Sequence, residues 1–190
     1  MIFGDPSVFA IESSITRAYE APSLRALGFF VLHISGRRYG VWSPEATLLA
    51  CSFDEVQERI TRRGAHTTPF ATESDAGSIA NAIRKAIYAP NQDCELFFGM
   101  LAPKFSEFVA SQRLIWAPDG DEAFDDGSYV LQFDFENRVR LIAFKSGEEY
   151  HHDPLTISDR WLKADLFYGI LGQWHEAFEA EWSTTPKSER

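Results

Sequence analysis

Between Asp125 and Lys145 the chain reads DDGSYVLQFDFENRVRLIAFK, and its apolar and polar positions alternate with a period of two. Tyr129, Leu131, Phe133 and Phe135 interleave with Val130, Gln132 and Asp134, and the apolar run resumes from Val139 to Phe144 after Glu136-Asn137-Arg138. This pattern predicts a β-hairpin, with Asn137 the turn residue best able to adopt left-handed backbone. Its first strand should turn a large aromatic face to a core and a polar face to water. The second is apolar on both sides apart from Arg140, which predicts a strand inside the sheet with another layer against it.

The same periodicities organise the rest. A turn at Phe3-Gly4-Asp5-Pro6 precedes a short strand at Val8–Ile11, and Gly28–Ile34 with Tyr39–Trp42 predicts a second hairpin turning at Gly36. Thr47–Cys51 reads as a strand, after which Ser52-Phe53-Asp54-Glu55 matches a capping box that starts a helix. Phe53, Val56 and Ile60 mark its buried stripe, Arg59, Arg62 and Arg63 its solvated end, and Gly64 its C-cap. Ser74 or Asp75 caps a second helix, in which Ile79, Ile83 and Ile87 repeat until Pro90 stops it. Glu95–Leu101 is ambiguous between strand and buried helix, Pro103–Ser111 reads as helix, and Leu114–Trp116 as strand. Leu155–Ile157 reads as a last strand. A long helix then starts at Ser158 or Asp159 and carries Leu162, Leu166, Phe167, Ile170, Leu171, Trp174 and Phe178 to about Trp182. Gly169 and Gly172 inside it predict close packing against a neighbour. The expected fold class is α+β: a mainly antiparallel sheet built from hairpins, with helices near Ser52, Asp75 and Leu162 packed chiefly on one face. Residues 1–182 form one globular domain and 183–190 a disordered tail.

A chain of 190 residues buries roughly 70% of its unfolded surface and needs no staples. Its 16 Phe, 5 Trp and 6 Tyr point to a core of large rings. The 28 acidic and 18 basic residues leave a formal charge of -10, which argues against nucleic acid and for a basic partner. Cys51 and Cys94 lack CxxC spacing and read as buried, reduced thiols. The opening residues lack a secretory pattern, and no apolar run approaches the roughly 18 residues of a membrane span, so a cytoplasmic protein is expected.

Chemistry is sparse. Ala117–Gly127 is the densest acidic stretch, but Ala123 and Phe124 stand where an EF-hand needs an oxygen ligand and a glycine, and Val130 where it needs a glutamate. A looser cation site, carboxylates capping neighbouring amides, or an acidic face for a basic partner remain as readings. His151-His152-Asp153-Pro154 holds metal-ligand types, but adjacent side chains on extended backbone point apart, which favours a surface turn. His33, in an apolar strand, reads as a packing residue. No nucleophile elbow and no glycine-rich phosphate loop occurs. A binding protein without cofactor or metal fits this pattern better than an enzyme. The alternatives are a small metal-dependent hydrolase built on His151 and His152, or a ligand-binding regulatory domain.

The opening FGDPSVFAIES, the hairpin GFFVLHISGRRYG, the block WAPDGDEAFDDGSYVLQFDFENRVRLIAF and the closing DLFYGILGQWHEAF together resemble the Immunity protein 42 family of bacterial polymorphic toxin systems. The resemblance spans nearly the whole chain and rests on structural segments. It implies a cytoplasmic α+β protein that binds and neutralises a cognate toxin domain, with no membrane role, and it leaves the oligomeric state open. It carries over no binding residues. If the toxin has a basic cleft, carboxylates imitating phosphates could fill it, which nominates Asp119, Asp121, Glu122, Asp125 and Asp126 for the toxin-facing surface. The competing reading is that Asp125 and Asp126 only shape the entry to the hairpin.

Overall fold

The computed structural model describes residues 1–90, 94–116 and 122–188. In chain order, β1 (Ile2–Asp5) and β2 (Phe9–Ala18) pair antiparallel, and β3 (Ala26–Ile34) lies along β2. Both β4 (Arg37–Tyr39) and β5 (Thr47–Leu48) pair with β3, completing a five-stranded antiparallel sheet. Helices α1 (Ala50–Thr61) and α2 (Ala76–Tyr88), a short ribbon of β6 (Leu96–Phe97) and β7 (Met100–Leu101), and α3 (Ala102–Ser111) follow. The expected central hairpin is β8 (Ser128–Phe135) and β9 (Arg138–Lys145). β10 (Ser158–Lys163) joins the free side of β9, giving a second sheet in the order β10-β9-β8, and α4 (Ala164–Thr184) closes the chain.

The second sheet separates two hydrophobic cores. Val130, Val139, Leu141 and Ala143 face Phe9, Phe30, Trp116, Phe167, Trp174 and Phe178, from the first sheet, α4 and the segment before β8. Leu131, Phe133, Ile142 and Phe144 face Ile79, Ile83, Phe105 and Val109 of α2 and α3. β9 is therefore covered on both faces, as its unbroken apolar run predicts. At one crossing of β2 and β3 only glycine fits: a methyl group at Gly28 would lie 1.9 Å from the Ser14 carbonyl oxygen.

Several local expectations change. The turn of the central hairpin puts Glu136, not Asn137, at positive φ (53°). The strand expected at Val8–Ile11 extends to Ala18, and that at Thr47–Cys51 stops at Leu48, because α1 begins at Ala50. Ser52 is thus inside the helix, its hydroxyl buried without a hydrogen-bond partner, and Glu55 pairs with Arg59 and Arg113, so no capping box forms. By contrast, Asp75 caps α2 as expected, accepting from the Gly77 N–H at 2.9 Å. Ser158 and Asp159 do not cap α4. They pair with Ala143 and Ile142 of β9, and Asp159 accepts from Arg140 at 2.8 and 2.6 Å, contacts that a helix starting there would break. Methyl groups at Gly169 or Gly172 would meet nothing within 4 Å, so neither marks a close helix approach. Cys51 and Cys94 are exposed rather than buried. Beyond Trp182, α4 continues to Thr184 and Lys187 forms a parallel bridge with Ala18.

Candidate functional site

Asp119 and Asp121 lie outside the described residues. Of the other acidic candidates, Glu122 opens a single 3-10 turn, Glu122–Phe124, whose Ala123 and Phe124 are buried and anchor it. Glu122 and Asp125 point into solvent. Asp126 is engaged instead: it accepts from the Ser128 N–H at 3.1 Å and pairs with the Lys145 ammonium at 2.7 Å across the mouth of the β8–β9 hairpin. Of the three described, Asp126 is held at the hairpin entry by these contacts, while Glu122 and Asp125 are exposed.

Two further loops are stitched to this turn. Val41 donates its N–H to the Ala123 carbonyl at 2.7 Å, and Gly40 donates to Ser128 Oγ at 3.1 Å, which holds the segment after β4 against it. On the other side Ser146 donates to the Gly127 carbonyl at 2.8 Å and Asp153 to the Lys145 carbonyl at 2.8 Å. Tyr39 Oη bridges back to the same loop through the Thr156 carbonyl at 2.6 Å and Ser158 Oγ at 2.7 Å, and the Arg37 guanidinium donates to the Leu155 carbonyl. Burial raises the Tyr39 hydroxyl above its ordinary pKa, so it stays protonated as a donor. The loops at this end of the second sheet, joined by these bonds, carry exposed Glu122, Asp125, Glu148 and Glu149 and two large exposed apolar side chains, Trp42 (55% exposed) and Leu155 (80%). Trp42 is pre-set by Arg38 over its ring at 5.0 Å, Phe29 at 5.9 Å and an Nε1–H bond to Glu12 at 3.3 Å. Sequence spacing gave no signal for Glu148, Glu149, Trp42 or Leu155, because chain-distant hydrogen bonds assemble them.

A buried polar network lies further along β8, toward the turn of the hairpin. Gln132 and Asp134, expected on a water-facing side, are buried because α1 and α4 cover that face of β8. Arg59, expected in a solvated helix end, is fully buried: it donates to Gln132 Oε1 at 2.9 Å and the Ile115 carbonyl at 2.7 Å, pairs with Glu55 at 2.8 Å and lies 4.8 Å from the Trp116 ring centre. Desolvation lowers its pKa to about 10, which still leaves a full cation at neutral pH. Tyr168 donates to Asp134 at 2.8 Å and accepts from Gln132 at 2.8 Å; desolvation first, then the neighbouring carboxylate, raises its pKa. His66 Nδ1 lies 3.0 Å from the Gln112 carbonyl, an acceptor only, so that nitrogen carries the proton, and burial lowers the ring's pKa. Together these bonds pin Leu114–Trp116, the last residues described before the acidic stretch.

His152 is a packing residue, with Nδ1 2.7 Å from Asn81 Oδ1, its ring against Phe144, and its pKa lowered by desolvation. His33 contacts Glu12 at 2.8 Å on the sheet surface. Among the described residues no three His, Cys, Asp or Glu side chains are grouped to hold a metal ion, and no helix is long and apolar enough to cross a membrane.

The fold is similar to the crystal structure of CdiI from Burkholderia dolosa AUO158, with a TM-score of 0.60 at 16% identity, covering 93% of this chain and 99% of that one. No curated protein matches the sequence. The model of the Immunity protein 42 family matches residues 1–177. With that match spanning nearly the whole length, and the α+β architecture in place, the chain belongs to the Immunity protein 42 family and is a toxin-neutralising immunity protein.

Proposed function

We propose that this protein neutralises its cognate toxin in the cytoplasm by binding alone, without catalysis, and that the loop end is the toxin-facing surface. Glu122, Asp125, Glu148 and Glu149, with Asp119 and Asp121 of the same stretch, supply a carboxylate field for a basic cleft, and Trp42 and Leu155 supply apolar anchors. The observation that carries this reading is the convergence of exposed acids and exposed large apolar side chains on three loops cross-linked by main-chain hydrogen bonds. Such an arrangement keeps the ordering cost of binding low, while the charges speed encounter and select the partner. The crystal structure of CdiI from Burkholderia dolosa AUO158 shares the fold only, so it does not locate the surface.

The test is co-expression with the cognate toxin domain, together with affinity measured at low and high salt. Charge reversal at Glu122, Asp125, Glu148 and Glu149 is expected to slow association and remove most of its salt dependence, and Trp42→Ala to speed dissociation. Reversal of Asp119, Asp121 and Glu122 is expected to act in the same direction. Unchanged affinity and unchanged protection in all three variants would place the toxin elsewhere on the molecule.

A further inference from the structure

The two edges of the β10-β9-β8 sheet are treated differently. On β8, three outward main-chain groups are taken: Trp116 donates to the Val130 carbonyl at 2.7 Å, Gln132 to the Leu114 carbonyl at 2.8 Å, and Asp134 to the His66 carbonyl at 2.7 Å. At the opposite edge, Ala164 donates to the Asn137 carbonyl at 2.8 Å, which continues the β9 ladder. Antiparallel pairing alternates by two residues, so Ser158, Arg160 and Leu162 bond to β9, and Asp159, Trp161 and Lys163 turn outward. Apart from the Lys163 carbonyl, which as the N-cap of α4 accepts the first bond of that helix, no main-chain group among the described residues pairs with that outward edge. An open strand edge is a template for another strand.

We propose that β10 pairs antiparallel with β10 of a second copy of this chain, across a two-fold axis at Trp161, joining two three-stranded sheets into one. The register follows from the outward residues. Centred on Trp161, it sets all three of them opposite one another: Trp161 against the partner copy's Trp161, Asp159 against Lys163, and Lys163 against Asp159. A shift of the axis to Arg160 or Leu162 leaves one outward residue beyond the partner strand and puts Trp161 opposite a charge. The chosen register is self-complementary in charge at two symmetric places, which an isologous contact requires. Its side chains are already ordered. Trp161 lies between the Arg138 and Arg140 guanidiniums, at 4.7 and 5.5 Å, with Phe135 edge-on at 6.2 Å, and Arg140 fixes Asp159 through two hydrogen bonds while one third of that carboxylate side chain stays exposed. This pairing is independent of where the toxin binds.

Sedimentation equilibrium of the full chain across the micromolar range tests it. The wild type is expected to dimerise. Lys163→Glu sets like charges opposite each other twice and should weaken the dimer about 10- to 100-fold. Lys163→Pro removes an outward N–H at a residue whose φ of -67° already suits proline, leaving the internal ladder intact, and should give a monomer with an unchanged far-UV spectrum. Lys163→Arg should stay dimeric. Hydrogen exchange on the wild type gives a readout that needs no variant: protection of the Trp161 and Lys163 amides should rise with protein concentration. A wild-type monomer throughout, a dimer that survives Lys163→Pro, or protection that appears only on adding toxin domain would each overturn self-pairing, the last by assigning the edge to a toxin strand.

Discussion

Replacing Arg59 with methionine tests the buried network most directly. Arg59 has no exposed surface, so its loss is felt entirely inside the protein. Two buried acceptors, Gln132 Oε1 and the Ile115 carbonyl, lose their donors, and each orphaned group costs about 1–3 kcal/mol. Glu55 is not stranded, because Arg113 stays paired with it at 2.5 Å, which keeps the change below the full cost of breaking a buried ion pair. Methionine fills much of the volume over Trp116 and relieves the burial of a cation, offsetting part of the loss. The net expectation is destabilisation by about 2–4 kcal/mol, a large share of the roughly 5–15 kcal/mol of a typical domain. Urea unfolding followed by tryptophan fluorescence should show the midpoint falling by about 1–2 M at constant slope. Arg62→Met, whose guanidinium donates to the Ser111 carbonyl near the surface, should stay within about 1 kcal/mol. Combining Arg59→Met with Gln132→Met should be less costly than the sum of the two, by at least about 1 kcal/mol, if they share one network. An Arg59→Met cost below about 1 kcal/mol would refute the claim that this cation organises the interior.

Stability should also fall as pH drops from neutrality. His66 is held neutral by burial, with a folded pKa below the ordinary 6.5, so the unfolded chain takes up the proton first and stability is lost from about pH 6.5 downward, until the folded ring titrates too. His152 and His175 are shifted in the same direction and add to the slope. His66→Asn should flatten it in urea melts at pH 7.5 and 5.5. Gly28→Ala should cost at least about 3 kcal/mol, because its methyl group meets the Ser14 carbonyl and must part β2 from β3; thermal unfolding will read it. Gly169→Ala and Gly172→Ala, in open space on α4, should each stabilise by about 0.5–1 kcal/mol in the same assay.

Much of this architecture is written in local periodicity. The alternation from Tyr129 to Phe144 determines the central hairpin, the uninterrupted apolar character of β9 determines its burial on both faces, and Ile79, Ile83 and the Asp75 cap determine α2. These features depend on neighbours within one strand or one helical turn, which a sequence displays directly. The fate of polar residues was not legible in that way. Gln132 and Asp134 alternate as a water-facing side should, and Arg59 stands where a helix end is normally solvated, yet all three are buried because α1 and α4, far apart along the chain, close over the same face of β8. Ser158 and Asp159 carry the chemistry of a helix cap but lie in a strand, since pairing with β9 and the grip on Arg140 outweigh a local capping preference. The candidate surface follows the same division. Sequence density marks the acidic stretch, whereas the pairing of Asp126 with Lys145 and the cross-loop hydrogen bonds joining the segments that carry Glu148, Glu149, Trp42 and Leu155 exist only in the tertiary structure. Sequence determines which backbone each segment prefers. Only the tertiary structure decides which side of that backbone meets water, because that depends on what distant segment arrives to cover it.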